Sequence, residues 1–240
     1  MRRLKAIRRW FGRRFGYARL ACVALLVGFA ALRAADPAPV QEIRVRTFDT
    51  FQVLEPRKKT ARPVTIVDID EKSLADPRLG QWPWPRTRLA DIVINLTRLG
   101  AVVIAFDSVF SEPDRLNPDI AADTFSSLDE EMRARLRQLP SNDSILADAI
   151  KNSRVVLGES GAPNVRADLN EKLPVTGLAM LGEEPQQFMF EFPGLLRNVP
   201  VLEEAAAGRG LFTIRPERDG IVRRVPMMMV AQGVTMPSLT

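Results

Sequence analysis

The chain has 240 residues, with 34 Lys and Arg, 29 Asp and Glu, a formal charge of +5 and 46% hydrophobic residues, enough for a sizeable core in one large domain or two small ones. It contains no His and a single Cys, Cys22, which excludes histidine-based nucleophile systems, His-ligated metal sites and an internal disulfide. The charge is unevenly placed. Residues 1–35 hold nine of the basic groups and no acid, so the rest of the chain keeps 25 basic against 29 acidic groups and is mildly acidic. The basic balance therefore describes a tail, and no nucleic-acid partner is expected.

Residues 1–14 form that basic tail. Leu20 to Leu32 (LACVALLVGFAAL) is thirteen apolar or small residues, and it extends to Phe15 if Arg19 snorkels toward the headgroups. The extended run sits at the short end of the roughly 17–25 residues that cross a bilayer as a helix, with Trp10, Phe11 and Tyr17 placed as interfacial aromatics. Seven cations precede Tyr17 and hold the N-terminus in the cytoplasm by the positive-inside rule. Residues 15–35 are thus expected to be a signal anchor whose partner is the lipid bilayer, with residues 36–240 exported. A cleaved signal peptide has the same layout, but cleavage near Ala34 or Ala35 would put Leu32 or Arg33 where a small residue is wanted.

All eighteen prolines lie after residue 36, as in a domain with many connections. Val64 to Ile69 (VTIVDI) and Ala101 to Phe106 (AVVIAF) are continuous apolar runs closed by acids and read as buried parallel strands. Leu89, Ile92, Val93, Leu96 and Leu99 recur at helical spacing between Pro85 and Gly100, which completes a right-handed βαβ unit. Residues 116–153 are expected to be helical, with Ser141 as an N-cap, and Arg154 to Leu157 to be a third strand. Residues 160–194 show no period and read as a surface excursion. Gly210 to Ile214 and Ile221 to Val230 flank Asp219-Gly220, a hairpin signal, with Pro226 bending the second strand or placing it at an edge. The expected fold is α/β: a transmembrane helix, then a three-layer-like domain with a mixed, largely parallel sheet and a C-terminal hairpin.

Several residues in this frame could carry chemistry. Asp68 and Asp70 share one face of the first strand, and Asp107 closes its neighbour, so three carboxylates converge at the carboxyl edge where open α/β sheets bind ligands. They equally suit turn caps and partners for Arg86 or Arg115. The same DxD fits a metal-dependent phosphohydrolase with Asp68 as nucleophile and Asp70 as acid/base. That reading also needs a hydroxyl, which Ser160 could supply, and a late acidic pair, for which Glu183-Glu184 lies in a Gly/Pro-rich segment. Trp82-Pro83-Trp84-Pro85 is stiff and holds two indoles either as a plug over the core or as a ligand platform. Arg86, poorly placed at a helix start, calls for a carboxylate, with Asp70 or Asp107 as candidates. Glu112, Asp114 and Arg115 follow the second strand's end and could contact a polar ligand or form a local ion pair. Met227 to Met229 reads as core or dimer contact.

Residues VDIDEKSL (Val67 to Leu74), QWPWPR (Gln81 to Arg86) and GAVVIAFDSVFSEPDR (Gly100 to Arg115), in this order and spacing, closely resemble the type-two CHASE domain. RTFDTF from Arg46, GLF from Gly210, DGIVRRVPM from Asp219 and PSL from Pro237 are each similar to further blocks, so the resemblance spans about residues 40–240. It implies an extracytoplasmic sensory domain of a bacterial inner-membrane receptor, periplasmic over residues 36–240. A homodimer with an extracytoplasmic ligand is expected, and a cytoplasmic adenylate or guanylate cyclase, histidine kinase or Ser/Thr kinase as effector in cis, beyond a chain that ends inside the last block. No catalytic residue, metal or cofactor is expected in this part. Where the family often has a His-Ala pair after WPWPR, this chain has Leu89-Ala90, and any role of that His is lost. A structural assembly module and the phosphohydrolase are the alternatives.

Overall fold

The computed structural model describes residues 16–56, 64–80, 82–164 and 185–239. The basic tail, the Glu183-Glu184 pair and much of the 160–194 excursion lie outside the described residues. The chain divides into two units, one ending at Asp68 and one beginning at Ile69.

In the first unit, helix α1 (Tyr17–Ala35) is long and apolar enough to cross a membrane, and none of it is buried against protein. It stops at Asp36, which adopts a left-handed conformation and donates its N–H to the Leu32 carbonyl. Pro37 has no N–H to continue the ladder, and α2 (Ala38–Leu54) starts afresh with Val40 and Gln41 donating to the Pro37 carbonyl. Arg44 reaches back to both carboxylate oxygens of Asp36 at 3.1 and 3.0 Å, and its guanidinium holds that carboxyl below the ordinary value.

The second unit is built on α4 (Arg86–Arg98), whose Leu89, Ala90 and Val93 are buried on one stripe. Its end is a Schellman turn: Ala101 donates to Leu96, Gly100 donates to Thr97, and Gly100 takes a φ of 93° that side-chain-bearing residues avoid. Before it, α3 (Glu71–Leu74) is a single turn capped by Asp70. After it come β1 (Ile104–Phe106), α5 (Pro118–Thr124), α6 (Glu130–Arg137) and α7 (Asn142–Lys151), the last with Ser141 as N-cap. Then follow β2 (Val155–Ala162), β3 (Glu191–Phe192), β4 (Gly194–Leu196), α8 (Pro200–Ala205), β5 (Gly208–Leu211), β6 (Met228–Ala231) and β7 (Val234–Pro237). β2 is central. It pairs in parallel with β1 through residues 155–157 and with β5 through residues 156–159, then antiparallel with β4 through residues 160–162. A second sheet runs β3-β6-β7, and a bridge from Leu211 to Ser238 joins the two sheets.

Two apolar clusters result. The larger packs Leu89 and Val93 of α4, Leu146 and Ile150 of α7 and Leu202 of α8 on the face of the sheet made by Ile104, Phe106, Val155 and Leu157. The smaller joins Leu195, Leu211, Met229, Ala231 and Met236.

Three expectations are corrected. Val64 to Ile69 forms no strand: the run is unpaired, with Val64, Ile66 and Val67 exposed, so the βαβ unit lacks its first strand. An apolar run supplies side chains for a strand, but the strand exists only where a neighbour takes its N–H and C=O groups. The hairpin is displaced. Asp219-Gly220 makes a local turn in which Gly220 donates to Glu217, Glu217 donates to Ile221, and Arg223 grips Asp219, whose carboxyl falls to about 2. The antiparallel pair is β6 with β7, turned by Gln232-Gly233, both at positive φ as two-residue hairpins require. Finally, α4, α7 and α8 pack on one sheet face, while Val103 and Ala105 on the other are exposed, so a third layer is not seen among the described residues.

One-sided burial has a direct test. Leu157→Ala should lower unfolding free energy by roughly 2–5 kcal/mol in a denaturant titration, whereas Val103→Ala should stay within about 0.5 kcal/mol.

Candidate functional site

Arg86 opens α4 directly after Pro85, where a cation opposes the helix dipole, and α4 has no acid in its first turn. The missing charge comes from elsewhere in the second unit. The Arg86 backbone N–H donates to Asp114 Oδ2 at 2.7 Å, its Nε lies 3.5 Å from Asp143 Oδ1, its Nη2 donates to the Glu112 carbonyl at 3.4 Å, and the guanidinium sits 4.3 Å above the Phe110 ring. The Arg86 side chain is only 13% exposed and that of Asp143 6%.

Asp114 and Asp143 are spent on backbone and amide donors. Asp114 accepts from Asn142 Nδ2 at 2.9 Å and the Leu116 N–H at 2.9 Å. Asp143 Oδ2 accepts from the Asp114 N–H at 2.9 Å and Asn117 Nδ2 at 2.7 Å. Asn117 in turn accepts from the Asn142 N–H at 2.7 Å. The Arg86 guanidinium thus faces Asp143 while its backbone N–H is taken by Asp114, and the starts of α4 and α7 are fixed to the loop from Phe110 to Asn117. Two atoms are left over: Arg86 Nε and Asp143 Oδ1 face each other, buried, without a hydrogen bond. Beside this cluster, Asn198 accepts from the Phe110 N–H at 2.8 Å and donates to the Gly158 carbonyl at 3.0 Å.

Of the candidate residues the structure brings Arg86 and Asp114 together, but the acid beside the guanidinium is Asp143 and neither Asp70 nor Asp107. Asp70 instead caps α3, with Ser73 Oγ at 2.7 Å and Ser73 N–H at 2.8 Å lowering its carboxyl below the ordinary value. Asp68 is exposed in the unpaired run, and Asp107 is exposed at the end of β1. The two aspartates of the DxD therefore do not project from a strand, and the convergence of three carboxylates at a sheet edge loses its premise. Glu112 and Arg115 are exposed, Glu112 contributing only its carbonyl. Trp84 is buried and donates its indole N–H to Gly80 at 3.2 Å, with Trp82 half-exposed and edge-on at 5.5 Å, so one indole is the plug and the other its rim. Among the described residues, no group of three or more His, Cys, Asp or Glu could hold a metal.

Asp143, Asn117, Asn142 and Asn198 were not singled out. The available signal was the pair Asn142-Asp143 just after the Ser141 cap: Asp143, an acid in the first turn of α7, matches the cation without one in the first turn of α4. A surface cleft of about 430 Å³ near the other end of α4 is lined by Ile94, Thr97, Arg98, Ile145, Asp148 and Asn152.

In comparison with known proteins, a family model described as the CHASE2 domain matches residues 21–240. No curated protein and no solved structure matches the chain.

Arg86→Ala should cost roughly 3–5 kcal/mol, because it leaves Asp143 buried without its countercharge. Asp143→Asn should recover part of that loss, and a double-mutant cycle between the two measures the coupling. A coupling near zero would make the contact incidental.

Proposed function

The chain belongs to the CHASE2 domain family, sensory extracellular domains of signalling receptors, and on that premise we propose that residues 36–240 are the extracytoplasmic sensor of a bacterial inner-membrane receptor. The observation that carries this reading is the extent of the match, which begins inside the apolar helix α1 and runs through the whole second unit. In this reading α1 anchors the protein with its basic tail in the cytoplasm, and residues 36–240 bind an extracytoplasmic ligand and transmit its occupancy. The readout is a cytoplasmic cyclase, histidine kinase or Ser/Thr kinase of the same receptor. The sensor itself binds and transmits and does not catalyse. A ligand shifts such a receptor only through different affinities for two states.

Orientation is tested by fusion. Alkaline phosphatase joined after Pro63 should be active and a cytoplasmic reporter joined there inactive. The reverse pattern would place the domain in the cytoplasm and end the sensor reading.

The same proposal includes a homodimer, supported by Ile43, Phe51 and Leu54, which lie exposed along one side of α2. With Cys22 replaced by Ser, Ile43→Cys should cross-link to a second copy on mild oxidation in membranes, and Asp49→Cys much less.

A further inference from the structure

Glu159 is fully buried, and it sits on β2 at the point where the strand exchanges β1 for β4 as its neighbour on one side while pairing with β5 on the other. Across the ladder, Arg209 Nη1 of β5 lies 3.3 Å from Glu159 Oε1 and 3.4 Å from Glu203 Oε2 of α8. Glu203 is further held by Arg197, with Nε at 3.2 Å and a second contact from Nη2, and by the Asn198 N–H at 3.1 Å. Arg209, Glu203 and Arg197 are the charged groups that act most strongly on Glu159. Two acids thus share two arginines in an interior where every charge is costly to desolvate.

The arrangement has one unfilled position. Glu159 Oε2 is buried without a hydrogen-bond partner, although Glu203 lies within hydrogen-bonding reach of the Glu159 side chain. Two carboxylates are both acceptors and cannot bond each other until one of them carries a proton. A proton on Glu159 turns its orphaned acceptor into a donor toward Glu203 and removes a buried charge in the same step.

We propose that Glu159 and Glu203 form a buried binding site for a single proton at the junction of β2, β5 and α8. The site stands whether or not the domain is a receptor sensor.

Burial, aided by the nearby Glu203, pushes the Glu159 carboxyl up to about 7, with Arg209 the strongest opposing pull and Arg197 a weaker one. A folded value above the unfolded one means that the native state binds the proton more tightly. The stabilisation is full below about pH 4.5 and is lost as pH rises through about 7.

The test is the thermal midpoint of the full chain in detergent micelles, followed from about pH 5 to 8.5 for the wild type and Glu159→Gln, whose amide keeps a donor for Glu203 without a titrating charge. The wild-type midpoint should fall relative to the variant as pH rises, with the inflection near 7. Parallel profiles overturn the proposal. If Glu159→Gln does not fold, the infrared spectrum of the wild type decides: a protonated-carboxyl band present at about pH 6.5 and gone by about 8.5 supports the site. Ordinary carboxyls are ionised by then, so absence of the band at about 6.5 refutes it.

Discussion

A guanidinium taken out of water must find charges and acceptors of the right geometry or the fold around it loses several kcal/mol. Arg86 imposes that constraint on the second unit. Its side chain reaches Asp143 in the first turn of α7, its backbone reaches Asp114 in the loop after β1, and its planar face covers Phe110. α4 and α7 otherwise meet through apolar side chains such as Val93 and Ile150, contacts that tolerate a shift along the helix axes far better than directed bonds do. The polar cluster at their N-terminal ends selects one register among those the apolar faces would accept. Asp114 and Asp143 also take up the backbone donors of Arg86, Leu116 and Asp114, so Asp143, which faces the guanidinium, helps to shape the loop as well.

The two buried polar clusters are physically continuous. Phe110 lies under the Arg86 guanidinium and donates its N–H to Asn198, whose own N–H goes to Glu203. Glu203 shares Arg209 with Glu159. Asn198 also bonds the Gly158 carbonyl on β2. A chain of one cation–π contact, hydrogen bonds and ion pairs therefore runs from the start of α4 to the centre of β2. Substitution at Asn198 would disturb both clusters together, which separates its role from that of the apolar residues around it.

The parts of this fold that were readable in the sequence are those set by local chemistry. The composition of residues 20–32 dictates α1, and the spacing from Leu89 to Leu96 with Gly100 at the stop dictates α4. Ser141 caps α7 as its type requires. What was misread depends on tertiary neighbours. Val64 to Ile69 has a strand's composition but no ladder partner, and Asp219-Gly220 has a hairpin's composition but is satisfied by a local turn and Arg223. The helix start of Arg86 calls for an acid, but the expected convergence of carboxylates at the sheet edge pointed to Asp70 and Asp107 and away from Asp143, which reaches it because α7 packs along α4. Glu159 gave no sign at all: a single acid within an apolar strand looks like a turn residue until Arg209, diagonal to it on β5, is seen to reach it.

The break at Asp36-Pro37 bears on how force travels along the chain. A continuous helix resists bending and twisting through its hydrogen-bond ladder, but here the ladder ends at the Asp36 N–H and resumes from the Pro37 carbonyl. Among the described residues, α2 is tied to this break by the Arg44 fork on the Asp36 carboxylate and by Gln41 on the Asp36 carbonyl. The joint is therefore soft against bending, and the tie that stiffens it is an exposed ion pair. Salt screens exposed charges over about 10 Å at 0.1 M, so this tie weakens as ionic strength rises.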